Sequence, residues 1–166
     1  MDTTITLNVL GLGAILYSPR AAAHIGRGED YLQPHFWQPA DVARHVNACQ
    51  ISAFCTGSPG RYLLRLYDGP IDAAGLESAR AKARLGIEVH DGVLCFRDLY
   101  DLMTWEPKCP DAQRVPLASG FYRITAYTSA PASGIVGDGQ TVSLHFEACQ
   151  EMPRLAWTGV PDLVPE

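Results

Sequence analysis

The chain has 166 residues, which is room for one ordinary domain, and its 47% hydrophobic and 19% charged composition gives a real core and excludes a disordered tail. Its formal net charge of −5 is unevenly placed: residues 1–85 hold 7 acids and 8 bases, a net of +1, whereas residues 86–166 hold 11 acids and 5 bases, a net of −6. The acidic half repels phosphate backbones, which argues against direct nucleic-acid binding through it and favours encounter with a basic partner.

The amino-terminal Met1-Asp2-Thr3-Thr4 lacks the cationic stretch of a signal peptide, and the apolar run Val9–Leu16 is broken by glycines and far too short for a membrane span. A cytoplasmic protein with no membrane contact is expected. Ile5–Tyr17 reads as one long strand or two short ones, with Gly11 and Gly13 marking a bulge or bend. Ser18–Pro34 has no periodicity and reads as a loop. Pro39 suits the first position of a helix over Ala40–Ala48, where Val42, Val46 and Cys49 keep helical spacing and Asp41 sits near the positive end. Ile51–Cys55 and Arg61–Tyr67 flank the turn Gly57-Ser58-Pro59-Gly60 and read as a hairpin-like pair.

Asp72–Arg84 reads as a helix capped by Asp72, with Arg80, Lys82 and Arg84 where the carboxyl end of the dipole favours cations. Ile87–His90 and Val93–Phe96 flank Asp91-Gly92, a dipeptide suited to a tight hairpin turn. Asp98–Trp105 reads as a short helical turn or a bulged strand end, and Glu106–Arg114 as a loop. Phe121–Thr128 and Thr141–Ala148 alternate; in the latter Val142, Leu144, Phe146 and Ala148 share one side, and Thr141, Ser143, His145 and Glu147 the other. The expected fold is mainly β: an antiparallel β-sandwich of about seven strands with one to three short helices, one domain over residues 1–166.

Cysteines at 49, 55, 95, 109 and 149 are odd in number and form no C-x-x-C, which argues against a disulfide framework or a zinc knuckle. Gly11-Leu12-Gly13 lacks the third glycine of a dinucleotide fingerprint, since Leu16 stands there. Gly57-Ser58-Pro59-Gly60 does not have the spacing of a nucleophile elbow. The five histidines have no metal-ligand spacing, and no metal or cofactor is expected. His90 and His145, with carboxylates such as Glu88 and Glu147, are the candidate acid–base groups of a rival reading: a small hydrolase or ligand-binding protein. Residues 98–106 differ in kind, because they interleave large aromatics with carboxylates as protein-binding patches do. Asp98, Tyr100, Asp101, Trp105 and Glu106 are the candidate partner-binding residues, the aromatics as anchors and the acids as steering charge; the alternative is that Tyr100, Met103 and Trp105 pack the loop onto the sheet while the acids face water. Trp37 and Trp157 read as core or edge plugs.

The order of features from Trp37 to Thr128 resembles one family. Trp37 is followed by a short helix around Ala40–Ala48, then Ile51-Ser52-Ala53-Phe54, a turn, and Arg61-Tyr62-Leu63-Leu64-Arg65-Leu66. Leu85-Gly86-Ile87-Glu88-Val89 comes next, and finally Val115-Pro116-Leu117-Ala118-Ser119-Gly120-Phe121-Tyr122-Arg123-Ile124-Thr125. This is similar to the bacterial competence protein J family of nuclease inhibitors and the β-sandwich proteins related to it. The chain departs from the pattern in the Ser18–Gln33 loop, in Asp72–Arg84 and beyond Glu147. The resemblance implies a small intracellular inhibitor that binds and blocks a nuclease. The resulting expectation is a non-enzymatic binding module of inhibitor or immunity type, whose partner is a basic protein such as a nuclease or toxin. The rivals are the His/carboxylate hydrolase or ligand-binding protein and a structural assembly subunit that pairs through an exposed strand edge.

Overall fold

Alternation of apolar and polar residues builds most of the molecule, and the computed structural model describes Met1–Glu166. In chain order the elements are β1 (Asp2–Val9), β2 (Gly13–Tyr17), α1 (Leu32–His35), α2 (Pro39–Asn47), β3 (Ile51–Cys55), β4 (Gly60–Tyr67), α3 (Ala73–Ser78), β5 (Ala81–Val89), β6 (Val93–Asp98), β7 (Arg114–Pro116), β8 (Gly120–Thr128) and β9 (Asp138–Cys149). Short 3-10 turns occupy Pro19–Ala22, Leu99–Met103 and Asp111–Gln113. One sheet has the order β1-β4-β9-β8-β5 and the other β3-β2-β6-β7. Leu64, Leu66, Leu85, Ile124, Val142, Leu144 and Phe146 from the first sheet share a core cluster with Ile15, Phe54, Leu94 and Phe96 from the second. This is the expected mainly β sandwich. It has nine strands because Ile5–Tyr17 divides between the two sheets and β7 adds a short edge strand.

The smaller sheet is covered on its outer side as well. Every residue of β2 is buried, as are the first four of β3. That pattern needs a second layer of cover, which α2 supplies over β3 and the Leu99–Met103 turn over β2. Pro39 stands at the start of α2, Asp41 lies in its first turn, and Val42, Ala43 and Val46 form its buried face. The helix is the expected one.

Three local readings give way to long-range pairing. The Asp72–Arg84 helix begins as expected, with the Asp72 carboxylate accepting from the Gly75 N–H, but it stops at Ser78. Residues 81–89 instead form β5, in which Ala83, Leu85, Ile87 and Val89 are buried in alternation. The local helix propensity of alanine, leucine and arginine loses there to nine paired positions against β8. The Asp91-Gly92 turn forms with φ of 56° and 69°, as a primed turn requires. Beyond the single bridge His90↔Val93, however, its arms part, β5 pairing with β8 and β6 with β2. β3 and β4 likewise belong to different sheets and do not form a hairpin. Finally, the larger sheet is not wholly antiparallel: β4 and β9 run parallel, with Leu64 opposite Val142 and Leu66 opposite Leu144. Parallel neighbours need a long crossover, which here is the whole segment from α3 to β8.

Candidate functional site

Asp98 closes β6 and turns its carboxylate inward. It accepts hydrogen bonds from the backbone N–H groups of Leu10 (2.8 Å), Gly11 (3.3 Å) and Tyr100 (3.3 Å) and is 5% exposed. The group ties the β1–β2 turn to the 3-10 turn that follows β6. As a buried acceptor it cannot steer a partner, which corrects the role expected for it. Gly11 lies under the Tyr100 ring, where an added Cβ would stand 2.7 Å from a ring carbon. Leu10–Leu12 form the expected bend between β1 and β2, and because Gly11 has no positive φ the glycine there serves close approach of the aromatic.

Trp105, expected as an exposed anchor, is 2% exposed. Its ring centroid is 5.4 Å from that of Tyr17, and the Arg97 guanidinium lies 4.3 Å over its face. Arg97 is buried too, and it donates to Asp101 (2.8 Å), the Tyr17 hydroxyl (3.4 Å) and the Glu106 carbonyl. Burial pushes the Tyr17 phenol well above its usual range, so it stays neutral in this network. The large apolar area of the tryptophan and a cation needing compensation are satisfied together inside the loop. Trp105 therefore positions the segment and does not present itself to solvent.

Tyr100, Asp101 and Glu106 remain at the surface, Tyr100 at 38% exposure and Glu106 in an ion pair with Arg27 at 2.6 Å. Tyr100 forms one wall of an apolar groove of about 380 Å³ whose other walls include Leu12, Leu32, Phe36, Trp37, Phe54 and Val160. Trp37 is 60% exposed, so it is the outermost aromatic of the groove and not the expected core or edge plug. It stands two residues before Pro39, the position from which a hydrophobic side chain staples the entry of a helix, and Val42 on the first turn of α2 lines the same groove. That staple position was the sequence signal available for it.

The carboxyl-terminal tail supplies the last wall. The Cys55 N–H donates to the Pro161 carbonyl (2.7 Å) and the Leu163 N–H to the Cys55 carbonyl (3.0 Å), extending the smaller sheet by one bridge and fixing Val160 and Asp162. Residues 28–31 pair with the loop on the other side, through Gly28 N–H to Trp105 (2.7 Å), Trp105 N–H to Glu29 (3.0 Å) and Tyr31 N–H to Leu102 (2.8 Å). Among the acids Asp162 lines the groove, whereas the exposed Glu29 and Asp30 and the partly exposed Asp101 and Glu106 lie on the paired 28–31 and 98–106 segments beside it.

Next to the groove, His45 donates from Nδ1 to the Asp41 carbonyl (2.7 Å), which leaves Nε2 to accept from the Tyr31 hydroxyl (2.8 Å). The His45 ring also lies 4.8 Å from that of Phe36 in the groove wall. Burial holds the imidazole below its ordinary value, against the bond to the Asp41 carbonyl, which favours the charged form.

His90 and His145 do not converge. His90 Nε2 lies 3.5 Å from Glu88, whereas His145 Nε2 donates to the Gly69 carbonyl at 2.8 Å. Through Thr125 the register aligns His145 with Arg84, six residues before His90 on β5, which separates the two by about 20 Å along the strand. No group of three or more His, Cys, Asp or Glu side chains is placed to hold a metal ion, and no helix is long and apolar enough to cross a membrane.

No protein-family model matches the chain, and no curated protein matches it in sequence. Among solved structures it is similar to ComJ, inhibitor of the DNA degrading activity of NucA, from Bacillus subtilis, at 13% identity and a TM-score of 0.51, over 90% of this chain and 99% of that one. It is also similar to the protein described as crocagin biosynthetic gene J, at 13% identity and a TM-score of 0.57, over 87% and 97% of the two chains. These likenesses show a shared fold, and they bear out the resemblance drawn from the order of features along the sequence.

Proposed function

We propose that this chain is a non-enzymatic binding module of inhibitor type that occludes a basic partner enzyme, a nuclease in the first instance, through the groove between Trp37 and Tyr100. The observation that carries the reading is the arrangement of the surface: exposed aromatics over an apolar hollow, with Asp162 in its wall and Glu29, Asp30, Asp101 and Glu106 on the adjoining segments. An apolar centre that sheds water inside a charged rim is the anatomy of a protein interface. A nuclease must present cations to its substrate's phosphates, and a carboxylate rim competes for the same cations and speeds encounter. ComJ, which has the same fold, inhibits a DNA-degrading activity, and that adds weight to a nuclease as the partner. Tyr100 and Trp37 are the anchors in this reading and Asp101 and Glu106 the steering charges. Asp98 and Trp105 hold the segment in place from behind.

The test begins with capture of partners from the native host by the full chain, followed by assay of any retained basic nuclease with and without the purified protein. Dose-dependent inhibition is expected, with Asp101→Lys plus Glu106→Lys slowing association about tenfold at low ionic strength and reducing its salt sensitivity. Trp37→Ala and Tyr100→Ala should each weaken binding about thirtyfold, mainly through faster dissociation. Full nuclease activity in the presence of excess protein, or inhibition indifferent to all four substitutions, would refute the proposal.

A further inference from the structure

The outer face of the larger sheet carries chemistry that the groove does not use. Cross-strand register sets His145, Thr125 and Arg84 side by side on β9, β8 and β5, and the next row is Glu147, Arg123 and Gly86. Arg84 and Arg123 are diagonal neighbours, about 7–8 Å apart at the backbone and within mutual reach of long side chains. Both border two adjoining hollows of about 540 and 520 Å³. The first extends past Thr125 and His145 to the Asp68–Ile71 turn, and the second runs beneath the start of the tail, where Arg154 joins the lining.

Charge on this face is under-compensated. Arg84 and Arg154 have no carboxylate within ion-pair distance, and Arg123 meets Glu147 at 3.6 Å, with both side chains largely exposed. Asp68 is held by the amino-terminal ammonium at 2.7 Å, leaving Glu151 as the one other acid bordering the second hollow. The Thr125 hydroxyl makes no hydrogen bond within the chain, so it is free to donate. In a chain of net charge −5, the lining of these hollows of small-molecule size sets three guanidinium groups against Asp68, Glu147 and Glu151, and with Asp68 matched by the amino terminus a positive balance of one remains.

We propose that this trough binds the phosphate group of a small phosphorylated molecule. Arg84 and Arg123 would clamp the phosphate through their planar forks, Arg154 would close over it from the tail, and Thr125 would donate a further hydrogen bond. Pro70 and the exposed Ile71 give the far end of the first hollow an apolar wall for the remainder of the ligand. The trough shares no lining residue with the groove, so this site stands or falls apart from the inhibitor reading.

Titration of the full chain with inorganic pyrophosphate, followed by amide NMR shifts, tests the proposal directly. Saturating shifts around Arg84, Arg123 and Thr125 with a Kd of about 1 mM or tighter are expected. Arg84→Glu and Arg123→Glu should each weaken binding at least about tenfold, whereas Lys108→Glu, on a different loop, should leave it unchanged. Arg154→Glu, outside every strand, gives the same readout if either sheet variant fails to fold. Shifts that do not saturate, binding indifferent to the arginine substitutions, or equally tight binding of the dicarboxylate malonate would each overturn the assignment.

Discussion

Arg97 takes a full positive charge into the interior and is compensated there by the Asp101 carboxylate, the Tyr17 hydroxyl, the Glu106 carbonyl and the face of Trp105. Removing the cation strands the buried Tyr17 hydroxyl and empties the space over the Trp105 face, while the 37% exposed Asp101 can turn to water, and an unpaired buried partner is more costly than the pair itself is stabilising. Arg97→Ala should therefore lower unfolding stability by about 3 kcal/mol in denaturant titration, and Arg97→Lys should restore little of it, because an ammonium cannot bridge three acceptors set out for a planar fork. His45 sets a pH dependence. Its folded value lies below the ordinary value of 6.5, so between those two values the unfolded chain binds more protons than the folded one. Stability is complete above pH 6.5 and falls as the pH drops toward the depressed folded value. His45→Gln should flatten that part of a stability-against-pH curve measured by thermal melting; an unchanged slope would show that the imidazole is not its source. The protonated ring also loses its acceptor for the Tyr31 hydroxyl, which loosens α1 and the Phe36 wall of the groove.

At the scale of elements, turn and capping chemistry was legible and pairing was not. Pro39 started α2, Asp72 capped α3 and Asp91-Gly92 made the primed turn, because each of these acts through backbone groups a few residues away. The run Ala-Lys-Ala-Arg-Leu-Gly-Ile-Glu-Val alternates as a strand does, but alanine is too small to mark a buried face clearly, and the cations resemble the end of a helix. The tail beyond Cys149 has no periodicity at all, yet Leu163 is 1% exposed and the adjoining residues bridge to Cys55. Leu163→Ala should lower stability by about 3 kcal/mol in chemical denaturation, through the lost burial and the cavity left behind. Because Val160 and Asp162 flank the same bridge, that variant should also weaken partner binding; a variant as stable as the parent would show that the tail is not seated.

For the molecule as a whole, the two sheets divide the work between them. The smaller sheet, covered by α2 and the 98–106 loop, supports the apolar groove, while the larger sheet turns outward a polar face on which Arg123 meets Glu147 and Arg84 has no carboxylate partner. A net charge says little about either surface, since the groove is almost wholly apolar and the trough gathers three arginines in an acidic chain. The sequence by itself determined the class of fold, the strand runs and the local mixture of aromatics and acids at 98–106, because periodicity and composition act between near neighbours in the chain. Only the tertiary structure decided that Trp105 and Asp98 turn inward while Trp37 turns out, that the arms of the Asp91-Gly92 turn enter opposite sheets, and that Arg84 and Arg123 share one hollow. Those outcomes depend on which distant segment covers each face, and no single segment carries that information within its own length.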